Sequence, residues 1–397
     1  MTTGQLLLAL IAIFVAAKLF GELAERLGQP AVLGELIGGI AVGISGLGFV
    51  DPHDPTIRLL ADLGVILLLF LIGLETDLHR LISVGGSATA VALVGVALPF
   101  AGGVAFGYAL GFGLMVSVFL GAALTATSVG ITARVLSDLG HLKDDESQVI
   151  LGAAVIDDII GLVLLTIVST LAEGGELSFV GIARILIIAF GFVFLAILMG
   201  SYLAPYLIRT IERIHIAGGL FFASLIFALL LAYVAMRVGS AVIIGSFAAG
   251  LVLARTGKGE EIQREVHGLA QFFIPIFFVV VGAAVDVKSL DRRFVLIGVG
   301  LTLIGIVGKV AAGSVAGRRG LRKIVIGVGM IPRGEVGLIF AQIGLSTRLL
   351  SSGLYSAVAL MVMITTLVTP PILRRLLVPR TPEERHGECD YVMDAPE

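Results

Sequence analysis

From residue 4 to residue 377 the chain repeats one device, an apolar stretch long enough to cross the roughly 30 Å hydrocarbon core of a bilayer as a helix. About thirteen such stretches fall near 4–24, 30–48, 57–75, 84–110, 112–137, 146–171, 177–208, 218–236, 239–255, 262–284, 293–315, 322–346 and 352–377. Hydrocarbon offers the backbone no hydrogen-bond partner, so segments of this length satisfy their own amides and carbonyls as helices. The expected fold is an all-α integral membrane protein. The connections are short and hold no Pro/Ser-rich linker or low-complexity tract, so 1–380 read as a single membrane unit and 381–397 as a short polar tail. Composition agrees: 57% of residues are hydrophobic and 14% charged, where soluble domains have about 45–50% and about 25%.

The opening MTTGQLLLALIAIFVAAKLF lacks the basic start and small-residue cleavage site of a secretory signal, and is read as a retained helix. With the N-terminus outside, the inner loops and tail collect seventeen Lys and Arg residues and the outer loops six: Arg58, Arg237, Lys288, Arg292, Arg293 and Arg348. The positive-inside rule turns that asymmetry into an orientation, N-terminus out and C-terminus cytoplasmic. The net charge of −2, with no basic face, gives no reason to expect a nucleic-acid partner. The single cysteine, Cys389, permits no internal disulfide.

Within the sixth stretch, AAVIDDIIGLVLL (153–165) carries Asp157 and Asp158 side by side. An ionisable group at the centre of a membrane helix costs on the order of 2.5–3.5 kcal/mol on insertion scales, so it marks a partner, a water-filled cavity or a function. Successive helical residues point about 100° apart. One carboxylate can therefore reach a neighbouring helix while the other faces a cavity. The base available to it is Lys309 in LIGIVGKVAAG (303–313).

Two stretches look broken. The fifth holds LTATSVGITARV (124–135), crowded with Thr125, Thr127, Ser128, Gly130 and Thr132. The twelfth holds GMIPRGEVG (329–337), where Pro332 removes a backbone donor and is followed by Arg333, Gly334 and Glu335. Non-helical backbone at membrane depth survives only inside protein or along a cavity. The two breaks lie in stretches that cross in opposite directions, the sequence signature of an inverted-repeat secondary transporter with its site near the midplane.

Two carboxylates in unequal surroundings titrate apart, which suits competition between protons and a monovalent cation that needs only a few oxygens and one or two negative charges. An intramembrane aspartyl protease would need carboxylates facing each other from different helices. No His pair at i,i+4 suggests a metal enzyme. The expectation is a protein that is not an enzyme and has no cofactor.

These residues resemble the monovalent cation:proton antiporter-2 family, the branch that includes bacterial sodium/proton exchangers. The likeness runs through PAVLGELIGGIAVGISGLG (30–48), LADLGVILLLFLIGLETDL (60–78), TATSVGITARVL (125–136), GAAVIDDIIGLVLL (152–165), FFIPIFFVVVGAAVD (272–286) and GMIPRGEVGLIFAQIGL (329–345). It implies crossed broken helices in a core domain, a dimerisation domain that joins two copies, and a bacterial-type inner membrane. It implies Asp158 as principal ligand of Na+ and proton, Asp157 as a further ligand paired with Lys309, and Thr127 and Ser128 beside the cation. The adjacent Asp-Asp form implies electrogenic exchange of Na+ or Li+ for H+. The alternatives are K+/H+ exchange by the same fold and a channel-like or regulatory membrane subunit.

Among other charged residues, Arg333 and Glu335 are expected to pair and, with Pro332, to fix the second break. Glu35, Asp62 and Glu75 are read as interfacial, and KDDES (143–147) as a solvated cytosolic loop.

Overall fold

The computed structural model describes residues 2–377 apart from 28, 77, 173–180, scattered positions from 182 to 205, 207–217, 239–241, 285–290 and 318–319. The chain enters at α1 (Thr3–Arg26), where Thr2 and Gln5 form a reciprocal capping box. After Pro30 comes α2 (Ala31–Val42). It is shorter than the expected 30–48, because Leu47 N returns to Ala41 O and Gly48 turns the chain at φ 71°. Asp54 caps α3 (Pro55–Glu75) through the amides of Thr56 and Ile57, with Pro55 in the first turn. A short helix not foreseen from sequence, α4 (Leu78–Ser83), leads into α5 (Gly85–Ala109), which contains Pro99.

The fifth stretch is two half-helices, α6 (Leu114–Ala123) and α7 (Val129–Asp138), followed by α8 (Asp145–Ala172). Much of 177–208 lies outside the described residues, but Leu186–Ala196 forms an apolar helix within it. Next come α9 (Gly219–Arg237), α10 (Val242–Ala254), α11 (Gly259–Ala283) and α12 (Arg292–Gly313). The twelfth stretch is again two pieces, α13 (Lys323–Gly329) and α14 (Glu335–Ser346), and α15 (Ser352–Leu377) closes the described chain. Eight of these helices, α1, α3, α5, α8, α9, α11, α12 and α15, are long and apolar enough to cross a membrane singly. Among the described residues the regular structure is all helical, and the chain is multi-pass.

Two sets of helices pack separately before meeting. In one, α2 and α3 lie against α11, and α3 against α10. These contacts are backbone-close: a Cβ on Gly39 would sit 2.2 Å from Val279 O and one on Gly250 2.2 Å from Phe70 O. The close crossing of α2 and α11 is thus matched by that of α3 and α10, a paired pattern in keeping with an inverted repeat. In the other set, α5, α8, α12 and α15 surround the two broken helices, and α7 abuts both α2 and α3.

Candidate functional site

At the two breaks the backbone groups freed from helical pairing find each other. Ser128 N donates to Pro332 O at 2.8 Å. Thr127 Oγ1 lies 3.3 Å from Met330 O, and Thr132 Oγ1 donates to Gly329 O at 2.7 Å. Gly334 is needed for this approach, since a Cβ there would fall 2.8 Å from Ser128 Oγ. The broken passes therefore cross at 124–128 and 330–334.

Arg333 is fully buried, and its guanidinium works on backbone. Nη1 donates to Thr125 O at 3.3 Å and Ala126 O at 3.1 Å, and Nη2 to Gly305 O at 3.5 Å. The first two carbonyls follow the C-terminal end of α6, where a cation offsets the helix dipole. The expected Arg333–Glu335 pair lies outside the description, because the Glu335 side chain is not among the described residues.

Helix α8 brings the carboxylates to the crossing. Asp157, with no exposed surface, accepts from Lys309 Nζ at 2.6 Å and from Thr127 Oγ1 at 2.7 Å, both on Oδ2. Its Oδ1 has no hydrogen-bond partner among the described residues. Asp158 is also buried, as are Thr127 and Ser128. Lys309, fully buried on α12, reaches Asp157 across Gly95 of α5, where a Cβ would lie 3.2 Å from Nζ. Pro99 of α5 packs on Gly308, which draws α12 close enough for that reach. The site is a buried ion pair whose acid also holds a hydroxyl of the first break. One acid oxygen remains for another donor.

The family model described as sodium/hydrogen exchanger, transmembrane, matches residues 8–378. The chain belongs to the sodium/hydrogen exchanger family. Within it, the chain is 41% identical to the high-affinity Na+/H+ antiporter NhaS3 of Synechocystis, covering 95% of this chain and 91% of that protein. It is 37% identical to the Na+/H+-K+ antiporter GerN of Bacillus cereus, covering 91% and 94%. The sodium proton antiporter MjNhaP1 of Methanocaldococcus jannaschii has the same fold, with a TM-score of 0.69 over 100% of both chains at 17% identity. As an exchanger, the chain is a transport protein and not an enzyme.

Several residues of this exchanger depart from the sequence reading. Glu35 is buried rather than interfacial, and its Oε2 has no hydrogen-bond partner among the described residues. Glu75 is half-buried and accepts from Ser137 of α7 and Gln263 of α11. The expected solvated loop at 143–147 is not one: Asp145–Ser147 open α8, and Glu146 is buried and takes both the amide and Nε of Arg322, at 3.0 and 3.1 Å. That bond ties the first turn of α8 to the start of α13. Sequence reasoning also missed Gly95, Thr365 and Thr366. A small residue or hydroxyl pair inside a membrane helix looks like ordinary helix packing.

Proposed function

We propose that the chain exchanges Na+ or Li+ for protons across a bacterial-type inner membrane, electrogenically and by alternating access. The observation that carries this reading is the Asp157–Asp158 pair buried at the crossing of two helix breaks, with Thr127 and Lys309 on the first carboxylate. Cation and protons compete for the same oxygens. Asp158 is the principal ligand, Asp157 swings from Lys309 toward the ion, and oxygens of Thr127 and Ser128 complete the shell. In the proton-loaded state Asp158 is neutral and Asp157 and Lys309 cancel. A cation that displaces more than one proton leaves the site net negative, so each turnover moves charge.

The core domain comprises α5–α8 and α12–α15, and it slides as a body past α1–α3 and α9–α11. The latter set forms the dimerisation domain of a homodimer. Part of α1 contributes to that interface, through a face carrying Leu7, Ile11 and Leu19, all exposed in the single chain. The N-terminus faces out and the C-terminus the cytoplasm. A second reading, K+/H+ exchange at the same site, draws support from the dual cation naming of GerN. Purified protein in proteoliposomes is given each alkali cation in turn while lumenal pH is followed. Proton flux that depends on Na+ or Li+ is expected, flux driven by K+ alone selects the second reading, and cation leak without proton counterflow overturns both.

A further inference from the structure

The inverted order sets the sixth pass, α8, against the thirteenth, α15. Where α8 presents Asp157 to the first break, α15 presents Thr365 and Thr366, both buried, to the second. Thr366 Oγ1 donates to Arg333 O at 2.8 Å, and Arg333 N donates to Thr365 Oγ1 at 3.3 Å. Thr365 spends its own hydrogen within its helix, on Met361 O or Val362 O at 2.9 Å, which leaves its oxygen free to accept. Two adjacent hydroxyls thus hold both backbone groups of the residue whose guanidinium grips Thr125 O and Ala126 O. The next residue along is Thr127, which binds Asp157.

We propose that Thr365 and Thr366 are positioning residues for exchange. By fixing the Arg333 backbone they aim its guanidinium at the first break, and so set Thr127 and Ser128 against the carboxylates. This inference rests on the exchange reading above. The threonines carry no charge, and their hydroxyls bond to Arg333 and to their own helix, so their influence on the ion runs through Arg333.

The test pairs Thr366→Val, which keeps the side chain's size but leaves the buried Arg333 carbonyl without its donor, with Thr366→Ser, which keeps the hydroxyl. In proteoliposomes, Thr366→Val is expected to raise the half-saturating Na+ concentration on the order of tenfold, and Thr366→Ser to stay near wild type. Hydrogen–deuterium exchange over 329–337 is expected to speed up in the valine variant and not in the serine one. A residue that only filled space would lower the yield of folded protein and leave half-saturation and exchange protection unchanged, and that result overturns the proposal. Protection does not depend on transport, so a wild type that moves no protons with Na+ removes the exchange reading while the deuterium comparison still judges the threonines. Should Thr366→Val not purify, Thr365→Val against Thr365→Ser makes the same comparison through the Arg333 amide. Faster exchange of that amide in the valine variant is expected, and unchanged protection overturns the inference.

Discussion

The two breaks reach the same open geometry by different routes. In the second, the interruption is covalent: Pro332 has no N–H to give its helix, and Gly334 accepts an approach that no side chain would allow. In the first, Leu124–Ser128 contains no proline or glycine, and nothing in its bonding forbids a continuous helix. It is held open from outside, by Arg333 on Thr125 O and Ala126 O, Pro332 O on Ser128 N, and Asp157 on Thr127. One break is a fixed frame and the other is adjustable. The adjustable one lies beside Asp157, whose Oδ2 holds both Thr127 of the break and Lys309.

That contrast breaks most completely at the carboxylate itself. Asp158→Asn removes the carboxylate proposed as principal ligand of cation and proton, and exchange is expected to fall by more than about a hundredfold while the protein purifies as wild type does. Near-normal Na+-driven proton flux from the variant would remove Asp158 from the site.

Arg333→Met strikes the external support of the first break. It strands buried carbonyls at 125 and 126, and a loss of about 3 kcal/mol in stability is expected, read as a lower melting temperature in detergent. Pro332→Ala, which spares the guanidinium, is expected to cost less; the reverse order would mean that the proline and not the arginine holds the crossing open.

Lys309→Gln tests the partner of the adjustable break. Removing one member of a buried pair leaves the other uncompensated, so a destabilisation of about 3 kcal/mol is expected, together with slower exchange. Currents after a Na+ jump then assign the lysine's role. Residual exchange without current marks it as a proton carrier, and residual current marks it as a brace between α12 and α8.

The smallest effect is expected from Gly95→Ala, whose Cβ would fall 3.2 Å from Lys309 Nζ. The ammonium must move by a few tenths of an ångström, and a shift of about 1 kcal/mol or less in stability is expected, with a measurable change in half-saturating Na+. Unchanged transport would show that Lys309 has slack in its place on Asp157.

Much of this was legible in the sequence because the bilayer leaves few choices. Apolar length dictates helices, a Pro-Arg-Gly run in mid-span dictates a break, and a Thr-Ser cluster there marks where a second helix is opened by its partners. An Asp pair inside such a run has few inert explanations. What stayed illegible is who satisfies whom across the fold. The charge of Arg333 suggested a carboxylate partner, whereas its described guanidinium bonds go to carbonyls, two of which become available only when another helix breaks against it. Glu35 and Glu75 looked interfacial by their nearness to helix ends, and it is the packing of α7 on α2 and α3 that covers them. Thr365 and Thr366 carry no sequence mark at all, since threonines in membrane helices ordinarily bond back into their own turn.

The most direct measurement is proton release on cation binding, followed with a pH dye in weakly buffered, detergent-solubilised protein as Na+ is added. Wild type is expected to release more than one proton for each Na+ bound, to need more Na+ for half-saturation as pH falls, and to lose the release in Asp158→Asn. Saturable Na+ binding with no proton release, or release that survives the loss of Asp158, would contradict the proposed competition of Na+ and protons for the carboxylates.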